Sequence, residues 1–206
     1  MSWLEVRIRL RIGMLWLLLL SSLACSPACA ADLWTYWVEP CTEAAAVESH
    51  CKTGDAELAR WALEAWQQSS GGTLRVQAVA LEQAARLRVH WVTGRSQLYG
   101  EARPIEFAGQ RGAEVYVLPS MARAGEDQLL RETVVYLTCL HETGHALGLA
   151  HTAAFADIMY TFQYGGDIAE YFGRFRRKLK AREDIARTSA ISVADHSALM
   201  LALSGR

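Results

Sequence analysis

The segment from His141 to His151 constrains the fold of this chain more than any other feature. It reads His-Glu-Thr-Gly-His-Ala-Leu-Gly-Leu-Ala-His. His141 and His145 are four residues apart, so on a helix both imidazoles lie on one face, one turn apart. Gly148 allows the chain to leave the helix in a backbone conformation that is costly for other residues. The segment therefore predicts a helix followed by a tight turn that returns His151 towards the first two histidines.

Three converging imidazoles are a ligand set for a catalytic zinc ion, with the fourth coordination position left to water. Glu142 follows the first ligand and can reach that water without binding the metal. Zinc lowers the pKa of the water towards neutrality and polarises a carbonyl group, while Glu142 takes the proton and returns it. The alternative is an ordinary helix with coincidental histidines, but the full pattern arises by chance in on the order of 1 in 10⁵ chains of this length.

The pattern resembles the signature of the metzincin zinc peptidases, H-E-x-x-H-x-x-G-x-x-H followed by a methionine turn. Residues 157–160 read Asp-Ile-Met-Tyr and are similar to that turn. The resemblance implies that Met159 lies beneath the metal. The short loop from His151 to Met159, with Tyr160 after the methionine, is similar to the matrixin branch, which contains the matrix metalloproteinases and their bacterial relatives.

This resemblance implies an α+β fold, in which a mixed twisted sheet carries an early helix, a central active-site helix and a C-terminal helix. It also implies a zinc endopeptidase whose substrates are peptides or proteins. The site residues implied are the zinc ligands His141, His145 and His151, the general base Glu142, and the structural residues Gly148, Met159 and Tyr160.

The sequence departs from the family pattern at several places. Thr161 stands where astacins and serralysins have an extra tyrosine ligand, and where matrixins usually have proline. The loop before Val115 lacks the histidine and aspartate cluster that holds the second zinc and the calcium of animal matrixins. We therefore expect one catalytic zinc ion and no calcium site.

Two other classes of function compete with a peptidase. One is an exported, zinc-stabilised binding module without turnover, but such a module has no chemical need for Glu142. The other is a surface-associated protein that uses its basic C-terminal segment for adhesion. The formal net charge of −1 gives no reason to expect binding to nucleic acid.

Residues 1–30 are typical of a signal peptide. Arg7, Arg9 and Arg11 precede an apolar run over 12–20, and residues 28–30 offer an Ala-Cys-Ala cleavage site. A lipid anchor on Cys25 is disfavoured, because residues 22–24 make a poor lipobox. We therefore predict export to the extracellular space or periplasm, with residues 31–206 as the catalytic domain.

Three cysteines remain after the predicted cleavage. Cys41 and Cys51 are close in sequence, and export implies an oxidising compartment, so a disulfide between them is favoured over two unpaired thiols. Cys139 lies in an apolar helical run and is interpreted as a small buried hydrophobic residue.

The hydrophobic periodicity predicts an extended entry segment over 32–54 and an amphipathic helix over 55–69. Strands are predicted at 74–76, 87–91 and 115–118, with an irregular edge strand over 98–107 because Gly100 and Pro104 break a ladder. A long helix is predicted over 127–149, and Ser192 and Asp195 resemble a capping box that opens a final helix. Residues 98–104 are expected to pair with substrate, although 115–118 could occupy the edge instead.

Residues 165–190 are interpreted as a basic helical insertion. Arginines and lysines over 174–182 lie opposite Phe172, Phe175 and Leu179. Contact of residues 171–182 with an anionic membrane is the alternative to a solvated face packed through those apolar side chains, which we favour. We expect a monomer.

Overall fold

The computed structural model describes residues 31–94, 99–122 and 125–205. Within these ranges, no helix combines the length and the apolar character needed to cross a membrane. The predicted signal peptide and Leu98 lie outside the described residues. The strands are β1 (Asp32–Val38), β2 (Leu74–Ala78), β3 (Leu87–Trp91), β4 (Gly100–Phe107) and β5 (Gln110–Val117). The helices are α1 (Glu43–Ser49), α2 (Asp55–Ser69), α3 (Gln128–Ala146), α4 (Ile168–Arg176), α5 (Asp184–Arg187) and α6 (Val193–Ser204).

The strands form one mixed sheet in the order β2-β1-β3-β5-β4. β1 pairs in parallel with β2 and β3, and β3 pairs in parallel with β5, whereas β4 runs antiparallel to β5. The predicted mixed sheet, early helix, central helix and C-terminal helix are all present. The alternative that residues 115–118 occupy the edge is wrong, because β5 lies between β3 and β4.

The hairpin between β4 and β5 determines which backbone groups of the edge strand are unpaired. Its turn residues Ala108 and Gly109 have φ values of 49° and 74°, as a type I′ turn requires. The amide of Leu118 donates to the carbonyl oxygen of Tyr99 at 2.9 Å. By the alternation of an antiparallel ladder, the backbone polar groups of Gly100, Ala102 and Pro104 therefore point away from β5.

The prediction that β4 is irregular is wrong, for a reason that follows from this alternation. Pro104 has no N–H group, but at its position the ladder needs no donor. Gly100 occupies an equivalent position four residue pairs away. Both residues are accommodated in a regular edge strand of eight residues.

Helices α2 and α3 cover the apolar face of the sheet. Trp34, Leu87 and Val115 from the strands are at most 1% exposed, as is Trp66 from α2. The Trp66 indole N–H donates to the carbonyl oxygen of Leu140 at 2.9 Å. Helix α3 is therefore held against α2 immediately before the histidine segment.

The predicted extended segment over 32–54 is extended only as far as Val38. Helix α1 follows, and the Thr42 hydroxyl caps it by accepting a hydrogen bond from the Ala45 amide at 3.2 Å. A disulfide joins Cys41 to Cys51 across this helix, and Cys139 is free and buried. A helix of seven residues is too short to be stable alone, so the disulfide and the packing hold it.

Residues 165–190 form two helices rather than one and belong to the main core. Phe172, Phe175 and Leu179 are all buried, as the favoured interpretation of their spacing predicts. Several basic side chains bind carboxylates instead of facing only solvent. Arg176 pairs with Asp127 at 3.1 Å, Arg177 with Glu170 at 2.5 Å, and Arg182 with Glu57 and Glu132.

Candidate metal centre

Helix α3 carries His141 and His145, and His151 lies after the turn that ends it. The Nε2 atoms of His141 and His145 are 3.1 Å apart, those of His145 and His151 are 3.0 Å apart, and those of His141 and His151 are 3.3 Å apart. Within the described part of the chain, these residues form the one cluster of three potential metal ligands. Tetrahedral zinc, with Zn–N distances of about 2.0–2.1 Å, separates its nitrogen ligands by about 3.3 Å. The donor set therefore fits one zinc ion.

Backbone carbonyl groups orient two of the three rings. The Nδ1–H group of His141 donates to the carbonyl oxygen of Ile158 at 2.7 Å. The Nδ1–H group of His145 donates to the carbonyl oxygen of Leu149 at 2.9 Å. Each bond leaves Nε2 as the ligating nitrogen. Burial lowers the pKa of His141 to about 4 and also lowers the pKa of His145. Both rings are therefore neutral at physiological pH, which is the form that binds a metal.

Gly148 makes the turn that returns His151 to the cluster. Its φ is 101°, which is costly for any residue with a Cβ atom. Its amide donates to the carbonyl oxygen of His145 at 2.9 Å, and the Leu149 amide donates to Gly144 at 3.0 Å. These bonds close the end of α3, as the sequence predicts for this glycine.

The turn that contains Met159 packs under the helical ligands. Met159 is fully buried, and its sulfur lies only 2.5 Å from where a Cβ atom on Gly144 would stand. The Asp195 carboxylate in α6 accepts hydrogen bonds from the amides of Ile158 at 2.8 Å and Met159 at 3.2 Å. The sequence indicates Asp195 only as part of a capping box, which is also present. Its second role was not predicted.

Glu142 faces the cleft beside the three imidazoles. The residue is 7% exposed, and burial, with a smaller effect from the charge of Glu101, raises its pKa to about 8. No described residue forms a hydrogen bond or ion pair with its carboxyl group. A Cβ atom on Gly100 would stand 2.7 Å from Glu142 Cγ, so the edge strand lies directly against this side chain.

The cleft around the histidines has a volume of about 740 Å³. Residues 99–104 of the edge strand form one side, and α3 forms the base. The rest of the lining includes residues 160–163 and three side chains of α4, namely Ile168, Tyr171 and Phe172. The sequence did not predict that α4 contributes to the cleft, because its aromatic residues were interpreted only as packing residues.

The structure brings together His141, His145, His151 and Glu142, with Gly148 and Tyr160 also at the cleft. Other residues singled out in the sequence lie elsewhere. Cys41 and Cys51 do not line this cleft. Two further histidines also lie outside the cluster: His90 stacks on Tyr116 with ring centroids 5.3 Å apart, and His196 contacts Ser69 Oγ at 3.2 Å.

The family model for matrixin, a peptidase family, matches residues 35–170. The chain belongs to the matrixin family. A crystal structure of archaemetzincin from Methanopyrus kandleri is similar to this matrixin, with a TM-score of 0.46 and 12% identity, covering 87% of this chain and 99% of that one. A search of the curated proteins gave no match.

Family membership makes this matrixin a zinc metallopeptidase, a hydrolase whose substrates are peptides or proteins. Its three histidines are positioned to bind the metal. The matched range ends inside α4, so Tyr171 and Asp195 both lie beyond it.

Proposed function

We propose that this protein is a zinc-dependent endopeptidase, with His141, His145 and His151 as zinc ligands and Glu142 as general base. The placement of Glu142 carries the proposal. Its buried carboxyl group shares a cleft with three converging imidazoles, and it forms no hydrogen bond or ion pair with a described residue. Burial of a carboxyl group without a partner costs free energy. In a binding module without turnover, no function would offset this cost in free energy.

The roles of the side chains follow from their positions. Zinc held by the three imidazoles would polarise the scissile carbonyl group and acidify a water molecule. A zinc ion in the cleft would favour the charged form of Glu142, which would then accept the proton of the attacking water and return it to the leaving amine. The carbonyl groups of Ile158 and Leu149 keep two of the rings in the orientation that presents Nε2 to the cleft.

The edge strand supports cleavage within a chain rather than at its end. The outward backbone groups of Gly100 and Ala102 are available to an extended peptide, which can pair with the edge as an added strand. Residues rise about 3.4 Å each along a strand, so residues 99–104 offer about 17 Å of edge. This length accommodates about five substrate residues, more than an exopeptidase needs to hold one terminal residue.

The test uses an internally quenched peptide with an acetylated N-terminus and an amidated C-terminus. The zinc-loaded protein should cleave it, because neither terminus is needed for binding. Glu142→Gln should retain zinc, since the carboxylate is not a ligand, and should lower kcat/KM by about 10²–10⁴-fold.

Each contrary result removes one part of the proposal. Cleavage of free peptides but not of the blocked peptide would indicate an exopeptidase. Near wild-type cleavage by Glu142→Gln would exclude Glu142 as the base. Zinc binding without hydrolysis of any peptide library would favour the binding module.

We further propose one catalytic zinc ion, no calcium site, and export by residues 1–30. The disulfide between Cys41 and Cys51 supports export, because disulfides persist in oxidising compartments. Detection of the mature chain, beginning near Ala31, in the medium or periplasm would test the export proposal.

A further inference from the structure

The carbonyl oxygen of Ile158 accepts hydrogen bonds from two side chains. His141 Nδ1 lies 2.7 Å from it, and the hydroxyl group of Tyr171 lies 3.1 Å from it. The same hydroxyl lies 3.2 Å from the carbonyl oxygen of Asp157. Because a phenol has one hydrogen to donate, Tyr171 shares it between two neighbouring carbonyl groups of the methionine turn.

Tyr171 is fixed in place by its surroundings. The residue is 4% exposed, so water does not easily replace its hydroxyl group. The guanidinium of Arg174 lies 4.4 Å from the centroid of its ring and donates to the carbonyl oxygen of Phe155. The rings of Phe155 and Phe162 meet it edge to face, with centroids 5.6 Å and 5.2 Å away. Helix α4 is thereby held against the loop between His151 and Met159.

Hydrogen bonds with side chains restrain both the amide and the carbonyl group of Ile158. The Asp195 carboxylate accepts the hydrogen bond of the Ile158 amide at 2.8 Å, and Tyr171 donates to the Ile158 carbonyl group. This carbonyl group in turn sets the orientation of the His141 ring. A buried tyrosine needs some acceptor for its hydroxyl group, but here the acceptor is the group that orients a metal ligand.

We propose that Tyr171 is a positioning residue for His141, acting through the Ile158 carbonyl group, and that α4 is thereby part of the metal centre. This inference rests on the proposed role of His141 as a zinc ligand. With the tyrosine hydroxyl present, the carbonyl oxygen has a fixed direction and the imidazole has one favoured orientation. Without it, the carbonyl group loses one of its two restraints, and His141 holds the metal less firmly.

The test is Tyr171→Phe, which keeps the packed ring and removes only the hydroxyl group. Competition with a chromophoric chelator should show about tenfold weaker zinc affinity, as for other groups that orient a ligand. The visible spectrum of the cobalt(II)-substituted variant should also differ from that of the wild type, because the geometry at His141 changes.

The matched control is Thr133→Val on α3, the helix that carries His141. It removes another buried hydroxyl group that donates to a backbone carbonyl, that of Leu129 at 2.8 Å. We expect Thr133→Val to lower Tm about as much as Tyr171→Phe does. Its zinc affinity and the spectrum of its cobalt(II) form should be those of the wild type.

Zinc affinity of Tyr171→Phe within twofold of the wild type, with the same cobalt spectrum, would overturn the inference. An equal loss of affinity in Thr133→Val would also overturn it, because the effect would then reflect general destabilisation. Failure of the proposed zinc site is distinguishable, since in that case the wild-type protein would not bind zinc, or His145→Ala would bind it equally well. A wild-type protein that binds zinc but cleaves no peptide would remove the proposed peptidase activity and leave this inference standing.

Discussion

Gly100 illustrates how a single residue without a side chain shapes this site. The atoms nearest to a Cβ at that position would be Glu142 Cγ at 2.7 Å and Thr138 Cγ2 at 3.0 Å. Non-bonded carbon atoms essentially never approach to 2.7 Å, so a methyl group there requires the strand or Glu142 to move. The position of the proposed base therefore depends on a glycine far from it in sequence.

Gly100→Ala should lower kcat/KM about 10–100-fold, because displacement of a catalytic group by about 1 Å has effects of that order. The zinc content should stay at the wild-type level, since no ligand is moved. Gly173→Ala is the control, because the added methyl group there approaches only the flexible end of Arg177 at 3.3 Å. If a folded Gly100→Ala variant has the kcat/KM of the wild type, the proposed base tolerates the displacement and the prediction is wrong.

At the residue scale, the sequence predicts those site residues whose spacing along the chain fits only one local structure. The intervals between His141, His145 and His151 require a helix and a turn, and the structure has both. Gly100, Tyr171 and Asp195 could not be predicted in the same way. Each acts on a residue distant in sequence, and no local periodicity marks such a contact.

At the scale of elements, the strands and helices with a clear hydrophobic period were predictable and the short ones were not. Helix α2 has the predicted bounds, Asp55–Ser69, because its apolar face is continuous. Helix α1 was missed because it is short and lies within the disulfide loop. The regular form of β4 was missed because Pro104 breaks a ladder only where its nitrogen faces the partner strand, and a sequence does not reveal which way it faces.

The direction of the β4 backbone groups predicts the effect of Ala102→Pro. The substitution removes an N–H group that points away from β5, so the sheet should remain intact while pairing with substrate is lost. We expect KM to rise or kcat/KM to fall by about tenfold, as for loss of one hydrogen bond at a binding edge. Zinc content and Tm should stay close to wild type.

Glu106→Pro is the matched control for that experiment. It also removes an outward N–H group from β4, but residue 106 does not line the cleft. Equal kinetic losses in both variants would indicate a general distortion of the strand. No loss in Ala102→Pro would move the substrate-binding edge away from β4.

At the scale of the whole molecule, the metal centre depends on helices that follow the histidine segment in the chain. Asp195 in α6 supports the turn beneath the helical ligands, and Tyr171 in α4 supports the same turn. The Ser192 hydroxyl adds a bond to Asp157 at 2.8 Å. Metal binding is therefore expected to stabilise the domain as a unit.

Metal analysis should find about one zinc per chain, and its removal by a chelator should lower Tm. With free zinc at about 1,000 times its Kd, binding stabilises the folded state by about 4 kcal/mol, or about 8–16 °C in Tm. His145→Ala should lose this response, whereas His196→Ala, outside the cluster, should keep it. Two equivalents of tightly held zinc, or a Tm indifferent to the chelator, would contradict the prediction.

The position of Asp195 in the chain has a consequence for when the enzyme can become active. Ribosomes make the chain from its N-terminus, so the histidine segment emerges before the helix that carries Asp195. Until that helix docks, the amides of Ile158 and Met159 lack their carboxylate acceptor, and the turn beneath the ligands has no anchor on that side. A nascent chain that ends between His151 and Asp195 therefore contains every proposed ligand but not the anchor of the turn beneath them, so we expect proteolysis to begin only after the C-terminal helix has been made.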